Sequence, residues 1–164
     1  MPKPKERILV VENDPMVADL IARQALTPQG FEVKIVKDGG SALKQISAFK
    51  PDVVIANLEL PGLSGKDLMV GLSSSEINIP VIMIAPKGKE KDVIQAFRLG
   101  ASDYISSPVR EAEVVSAVER AVQQVRARHE RQQLSKQLQL TNKELEKRIN
   151  ELTTIFGIGK AVTS

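Results

Sequence analysis

Three uninterrupted apolar runs stand out along the chain: ILVV at 8–11, VVIA at 53–56 and IPVIMIA at 79–85. Short β-branched runs of this kind belong to strands covered on both faces. FEVKIV at 31–36 alternates apolar and polar like a strand with one wet face, and DYI at 103–105 is a short fifth run. Helical spacing fills the gaps. Val17, Leu20, Ile21, Ala25 and Leu26 share one helix face. Asn13-Asp14-Pro15 opens that helix, since an acidic or amide cap followed by Pro is a helix start, and it stops near Thr27-Pro28-Gln29-Gly30. Asp38-Gly39-Gly40-Ser41 opens a second helix through Ala48. Others are predicted over about 64–74 and 88–98, the latter ending at Gly100, and a long one follows Pro108.

Strand and helix therefore alternate five times. Buried strands separated by amphipathic helices imply an α/β fold, with a parallel sheet and helices on both faces. Right-handed crossovers narrow this to a doubly wound sheet of strand order 2-1-3-4-5, with the switch point between strands 1 and 3. Ligands of such sheets bind outside the carboxyl ends of the strands at that point. The rim to inspect is Glu12, Asn13 and Asp14, then Asn57 to Glu59, Ala85 to Gly88, and Ser106 to Pro108.

Composition removes several chemistries. There is no Cys and one His, His129, so thiol nucleophiles, disulfides, Cys-held metals and His-rich metal sites are excluded. Four Phe, one Tyr and no Trp argue against stacking platforms for single-stranded nucleic acid. No apolar run approaches the roughly 18 residues of a membrane span. The start, MPKPKER, leads into too short an apolar stretch for a secretory leader. The expectation is a cytoplasmic protein with no membrane partner.

The net charge of +3 is unevenly placed. Residues 1–125 carry 15 Lys/Arg against 16 Asp/Glu, and residues 126–164 carry 8 against 4. No Pro or Gly interrupts the chain between Pro108 and Gly157, room for roughly 70 Å of helix. Val114, Val115, Val118 and Val122 should pack on the sheet. Leu138, Leu145, Ile149, Leu152 and Phe156 follow at spacings of seven, four, three and four, with Asn142 at an a position. That is an a/d seam, and a buried Asn at a favours two strands in register. Val118, Val122, Val125 and His129 lie in a different phase, which places a stutter near 130–137.

ILVVENDP, PDVVIANLELPGLSG, IPVIMIAPKG and GASDYISSP, in that order, resemble a response-regulator receiver domain of bacterial two-component signalling over about residues 6–125. The resemblance implies a flavodoxin-like fold. It also implies a phosphoacceptor aspartate after strand 3 and two acidic residues after strand 1 that hold Mg²⁺. A hydroxyl after strand 4, a lysine after strand 5 and a switch aromatic on strand 5 complete the set. On this chain the acidic pair falls on Glu12 and Asn13, and the phosphoacceptor position on Asn57. The switch hydroxyl falls on Ala85, the lysine on Ser107 and the aromatic on Tyr104. Only one carboxylate and the aromatic remain.

The reading is a pseudo-receiver, not an enzyme. It keeps the fold, lacks the phosphotransfer chemistry, and holds Mg²⁺ weakly or not at all. Glu59 is a possible second cation contact beside Glu12, and Lys87 and Lys89 lie near the rim. The alternative is an active phosphoryl-accepting receiver with unusual Mg²⁺ ligands. The predicted organisation is a receiver over 1–125, a coiled-coil or signalling helix over 126–156, and the start of a further domain over 157–164. That last segment lies within ELTTIFGIGKAVTS, which is similar to the beginning of a GAF-type sensory domain. The expected partners are a second copy through the C-terminal helix, and a signalling protein or the protein's own downstream domain. With no helix-turn-helix in the sequence, nucleic acid is not expected as a partner.

Overall fold

The computed structural model describes residues 6–157, so the predicted further domain at 157–164 lies, past Gly157, outside the described residues. The chain divides into two compact units, Met1–Val125 and Arg126–Ser164.

The first unit is a five-stranded parallel sheet of order β2-β1-β3-β4-β5. Its strands are β1 (Arg7–Val11), β2 (Glu32–Val36), β3 (Val53–Asn57), β4 (Val81–Ala85) and β5 (Asp103–Ser106). The helices between them are α1 (Pro15–Asp19), α2 (Gly39–Phe49), α3 (Gly65–Ser74) and α4 (Glu90–Arg98). The flavodoxin-like topology predicted from the apolar runs is the one observed. α1 continues into a π-helical stretch, Leu20–Leu26, and a 3-10 turn, Thr27–Gln29, that the residue spacing did not foretell. α5 (Glu111–Phe156) is the long C-terminal helix.

The period-two alternation of each strand feeds two separate cores. Ile8, Val10, Val53, Ile55, Ile82, Ile84 and Ile105 meet Ile21 and Leu26, and Val114, Val118 and Val122 of α5. Their neighbours Leu9, Val11, Val54, Ala56, Val81, Met83 and Ala85 meet Ala42 and Ile46 of α2, Leu68, Met69 and Leu72 of α3, and Ala96 of α4. Because every central strand is buried on both faces, its sequence reads as an unbroken apolar run.

Local chemistry sets the helix starts. Asp14 accepts the Met16 N–H, and Asp38 accepts the Ser41 N–H at 2.7 Å. Ser64 and Asp67 form a reciprocal capping box. Gly65 lets α3 begin directly against β3. A Cβ there would stand 2.6 Å from the Asn57 carbonyl oxygen and 2.9 Å from Leu58 Cα.

In the second unit, the apolar side chains Leu138, Leu145, Ile149 and Leu152 are exposed along the helix.

Candidate functional site

Strand register brings the rim together. Val11 pairs with Ala56, Asn57 with Ile84, and Ala85 with Ser106. The carboxyl ends of β1, β3, β4 and β5 thus finish level, and the Leu58 and Ser107 N–H groups continue the ladders onto the Ile84 and Ala85 carbonyls.

Glu12 follows β1 directly and is 3% exposed, the one buried charged side chain among the described residues. Burying a carboxyl is costly unless donors meet it. Two do. The Asp14 N–H donates to one oxygen at 3.1 Å, and Asn57 Nδ2 donates to the other at 2.7 Å. The second contact fixes the Asn57 amide, whose Oδ1 accepts the Glu59 N–H at 2.9 Å. Donor and acceptor of the carboxamide are both engaged within the protein.

Asp14 acts as the α1 cap. Asn13 and Glu59 are exposed at the mouth of the rim. The Glu59 carboxylate turns to Lys89, 3.7 Å from its ammonium nitrogen, rather than to Glu12. Lys66 is likewise engaged. It donates to Asp92 and, at 3.0 Å, to Gln95. The Lys66 hydrogen bond holds the Asp92 carboxyl below its usual range, against a smaller opposing effect of burial.

Ala85 is buried and offers the rim a methyl group, and Ser107 precedes Pro108 across a cis peptide bond. Tyr104 is half exposed and meets Phe97 edge to face, with centroids 6.2 Å apart at 87°. Beside this pair lies a cavity of about 300 Å³ walled by Ala85, Val93, Ile94, Phe97 and Tyr104. The sequence reading did not anticipate this cavity, the Asn57–Glu12 bond or the Lys66–Asp92 pair. The two pairs join residues 45 and 26 positions apart, the cavity is walled by three successive elements, and none of them has a periodic signature.

Mg²⁺ prefers a near-octahedral shell of oxygens, including one or two carboxylates. Here Glu12 supplies the single buried carboxylate, and both its oxygens already accept hydrogen bonds. Asn57 turns its NH₂ toward that carboxylate, and Glu59 is turned to Lys89. This donor set does not fit a bound Mg²⁺, and no step through such an ion follows from it. Glu12, Asn13, Asn57, Ala85 and Ser107 are nonetheless gathered at one end of the sheet, with Tyr104 beside them. Leu138, Asn142, Leu145, Ile149 and Leu152 lie in the other unit.

The response regulator receiver domain family matches residues 8–119. The DNA-binding response regulator MtrA of Mycolicibacterium smegmatis is 33% identical over 114 residues, which span 70% of this chain and 49% of that protein. The sensory transduction protein RegX3 of the same organism is 35% identical over 111 residues, covering 68% of this chain and 48% of RegX3. The crystal structure of the receiver domain of NtrX from Brucella abortus superposes with a TM-score of 0.67 at 31% identity, over 71% of this chain and 98% of that one. The chain spans about half the length of the curated relatives it matches. These relatives overturn one expectation, that nucleic acid is not a partner, because MtrA is by name DNA-binding. The missing helix-turn-helix speaks only for the residues read, and half of MtrA lies outside the match. Among the described residues no helix is long and apolar enough to cross a membrane.

Proposed function

The chain belongs to the response regulator receiver domain family, and we propose that it is a non-catalytic member, signalling without phosphorylation. One observation carries this. The phosphoacceptor position holds Asn57, a neutral and poorly nucleophilic carboxamide whose two ends are bonded to Glu12 and to the Glu59 N–H. The neighbouring losses act in the same direction. Ala85 has no hydroxyl for a phosphoryl oxygen, Ser107 has no cation to offset its charge, and Asn13 removes one carboxylate of the acidic pair.

On this reading the scaffold serves as a docking and dimerising input. It passes its state through the C-terminal helix to the part of the protein that follows. Two neighbours are proposed for that part. ELTTIFGIGKAVTS is similar to the start of a GAF-type domain, which favours a sensory neighbour. The relation to MtrA makes a DNA-binding output the second candidate.

The test is incubation with radiolabelled acetyl phosphate and Mg²⁺. No stable label on the protein is the expected result. Stoichiometric label that disappears in Asn57→Ala would establish the opposite reading, an active receiver with unusual ligands.

A further inference from the structure

We propose that residues 138–156 form a parallel, in-register two-stranded coiled coil with a second copy of this chain, and that Asn142 sets the alignment. This rests on the dimerising reading above and adds direction and register to it. The helix carries Asn142, Ile149 and Phe156 at a, and Leu138, Leu145 and Leu152 at d. The five apolar members of this seam are 62% (Leu138), 51% (Leu145), 58% (Ile149), 53% (Leu152) and 69% (Phe156) exposed. They share one face of a single helix, so a second helix is what covers them. β-branched Ile at a with Leu at d favours two strands.

The amide then discriminates among the alignments. In a parallel, in-register pair every a faces the partner's a, so Asn142 meets the partner's Asn142 and the two carboxamides satisfy each other. A slip of one heptad sets Asn142 against the partner's Ile149. An antiparallel pair sets a against d and buries Asn142 beside leucine. Both alternatives leave a buried amide without a partner, the costly outcome for a polar group. The flanks permit the favoured arrangement. In it the g position faces e five residues on, which places Thr141 opposite the partner's Glu146 and Arg148 opposite the partner's Thr153, with no like charges opposed. Both copies then leave the coil at the same end, side by side.

The chain has no cysteine, so a single substitution supplies the sole thiol. Leu138→Cys and Phe156→Cys, a d and an a position that an antiparallel pair would set face to face, are made in the 164-residue chain, oxidised separately and as an equimolar mixture, and the linked peptides identified by mass. Each variant is expected to form its own homodisulfide. In the mixture, homodisulfides should exceed the 138–156 heterodisulfide by about tenfold or more, the ratio that a 1.4 kcal/mol preference gives. A predominant heterodisulfide overturns the parallel arrangement while leaving dimerisation intact. Sedimentation of the unsubstituted chain as a monomer throughout a concentration series overturns the dimerising reading itself. Asn142→Leu is expected to tighten association and to raise the heterodisulfide share or yield larger assemblies. An unchanged linkage pattern in that variant removes Asn142 from the role assigned to it.

Discussion

Asn57 donates through Nδ2 to Oε2 of Glu12 at 2.7 Å, joining the end of β3 to the end of β1. The bond answers two needs at once. It supplies a donor to a buried carboxyl, and it orients an amide whose other end takes the Glu59 N–H. An ionised aspartate at 57 could still accept the Glu59 N–H, but it would bring no donor to Glu12.

Asn57→Asp therefore replaces a donor with a second carboxylate against the first. Like charges at this separation make the pair hold a proton, which raises its folded titration above the unfolded value. The sign follows from that shift. The variant keeps its stability below the unfolded pKa and loses it as pH rises through the folded one. Its melting temperature should approach that of the unsubstituted protein near about pH 4 and fall below it near about pH 8. Added MgCl₂ should recover part of the loss at the higher pH. The same variant should take no stable label from acetyl phosphate, because Ala85 and Ser107 still leave the phosphoryl oxygens without partners. Thermal melts with and without Mg²⁺, and a labelling assay, check both halves.

Asp38 is a cap whose pH dependence has the opposite sign. The Ser41 N–H, then the Ser41 hydroxyl, hold its carboxyl below the usual range. A depressed carboxyl stabilises above its unfolded pKa of about 3.9 and stops doing so as pH falls through the lower folded value. Asp38→Ala should melt below the unsubstituted protein at neutral pH, and the gap should narrow as the solution is taken below about pH 4. A gap that stays constant into acid would remove the carboxylate as its cause.

Gly65→Ala forces a methyl group against backbone. The added Cβ would meet the Asn57 carbonyl oxygen at 2.6 Å and Met83 Cε at 2.5 Å. Met83 can yield, but the β3 carbonyl cannot move without disturbing the ladder that aligns Asn57 with Ile84. A loss of about 1–3 kcal/mol is expected from overpacking of this kind, read as a lowered urea midpoint with an unchanged slope.

The architecture was legible because burial on both faces writes itself into composition. VVIA and IPVIMIA could be little else than central strands, and Pro15 and Gly100 mark helix ends without reference to anything distant. The rim was legible only as a set of positions. That Glu12 and Asn57 stand at one switch point follows from strand order. That the amide turns its NH₂ to Glu12 depends on the depth of a carboxyl 45 residues away, which no local pattern records. Lys66 and Asp92 illustrate the same limit, since 26 residues separate a pair that ties α3 to α4. Absence of nucleic acid was beyond reach for another reason, because a motif missing from one stretch says nothing of its neighbours.

Two leucines test the division between core and surface. Leu68 of α3 is fully buried among Met69, Leu72 and the β3–β4 side chains, whereas Leu140 is 64% exposed and lies off the a/d seam. Leu68→Ala should cost about 2–5 kcal/mol, the lost transfer energy plus the cavity. Leu140→Ala should stay within about 0.5 kcal/mol. Urea unfolding followed by far-ultraviolet circular dichroism, which reads the helices of both units, compares them.

Tyr104 offers a direct view of whether the rim responds to ligands. It is the one tyrosine in a chain without tryptophan, so intrinsic emission reports on this ring alone. Phe97→Ala removes the edge-to-face contact at 6.2 Å and should change the emission, which establishes that the ring senses its surroundings. Mg²⁺, alone or with beryllofluoride, should not. Glu12 has both oxygens occupied by donors, Asn57 carries no charge, and Ala85 has no hydroxyl through which a phosphoryl mimic would be coupled to the aromatic. A saturable shift on adding the mimic, abolished by Asn57→Ala, would show that the amide yields its place to an ion after all. That single result would move this receiver from the non-catalytic reading to the active one.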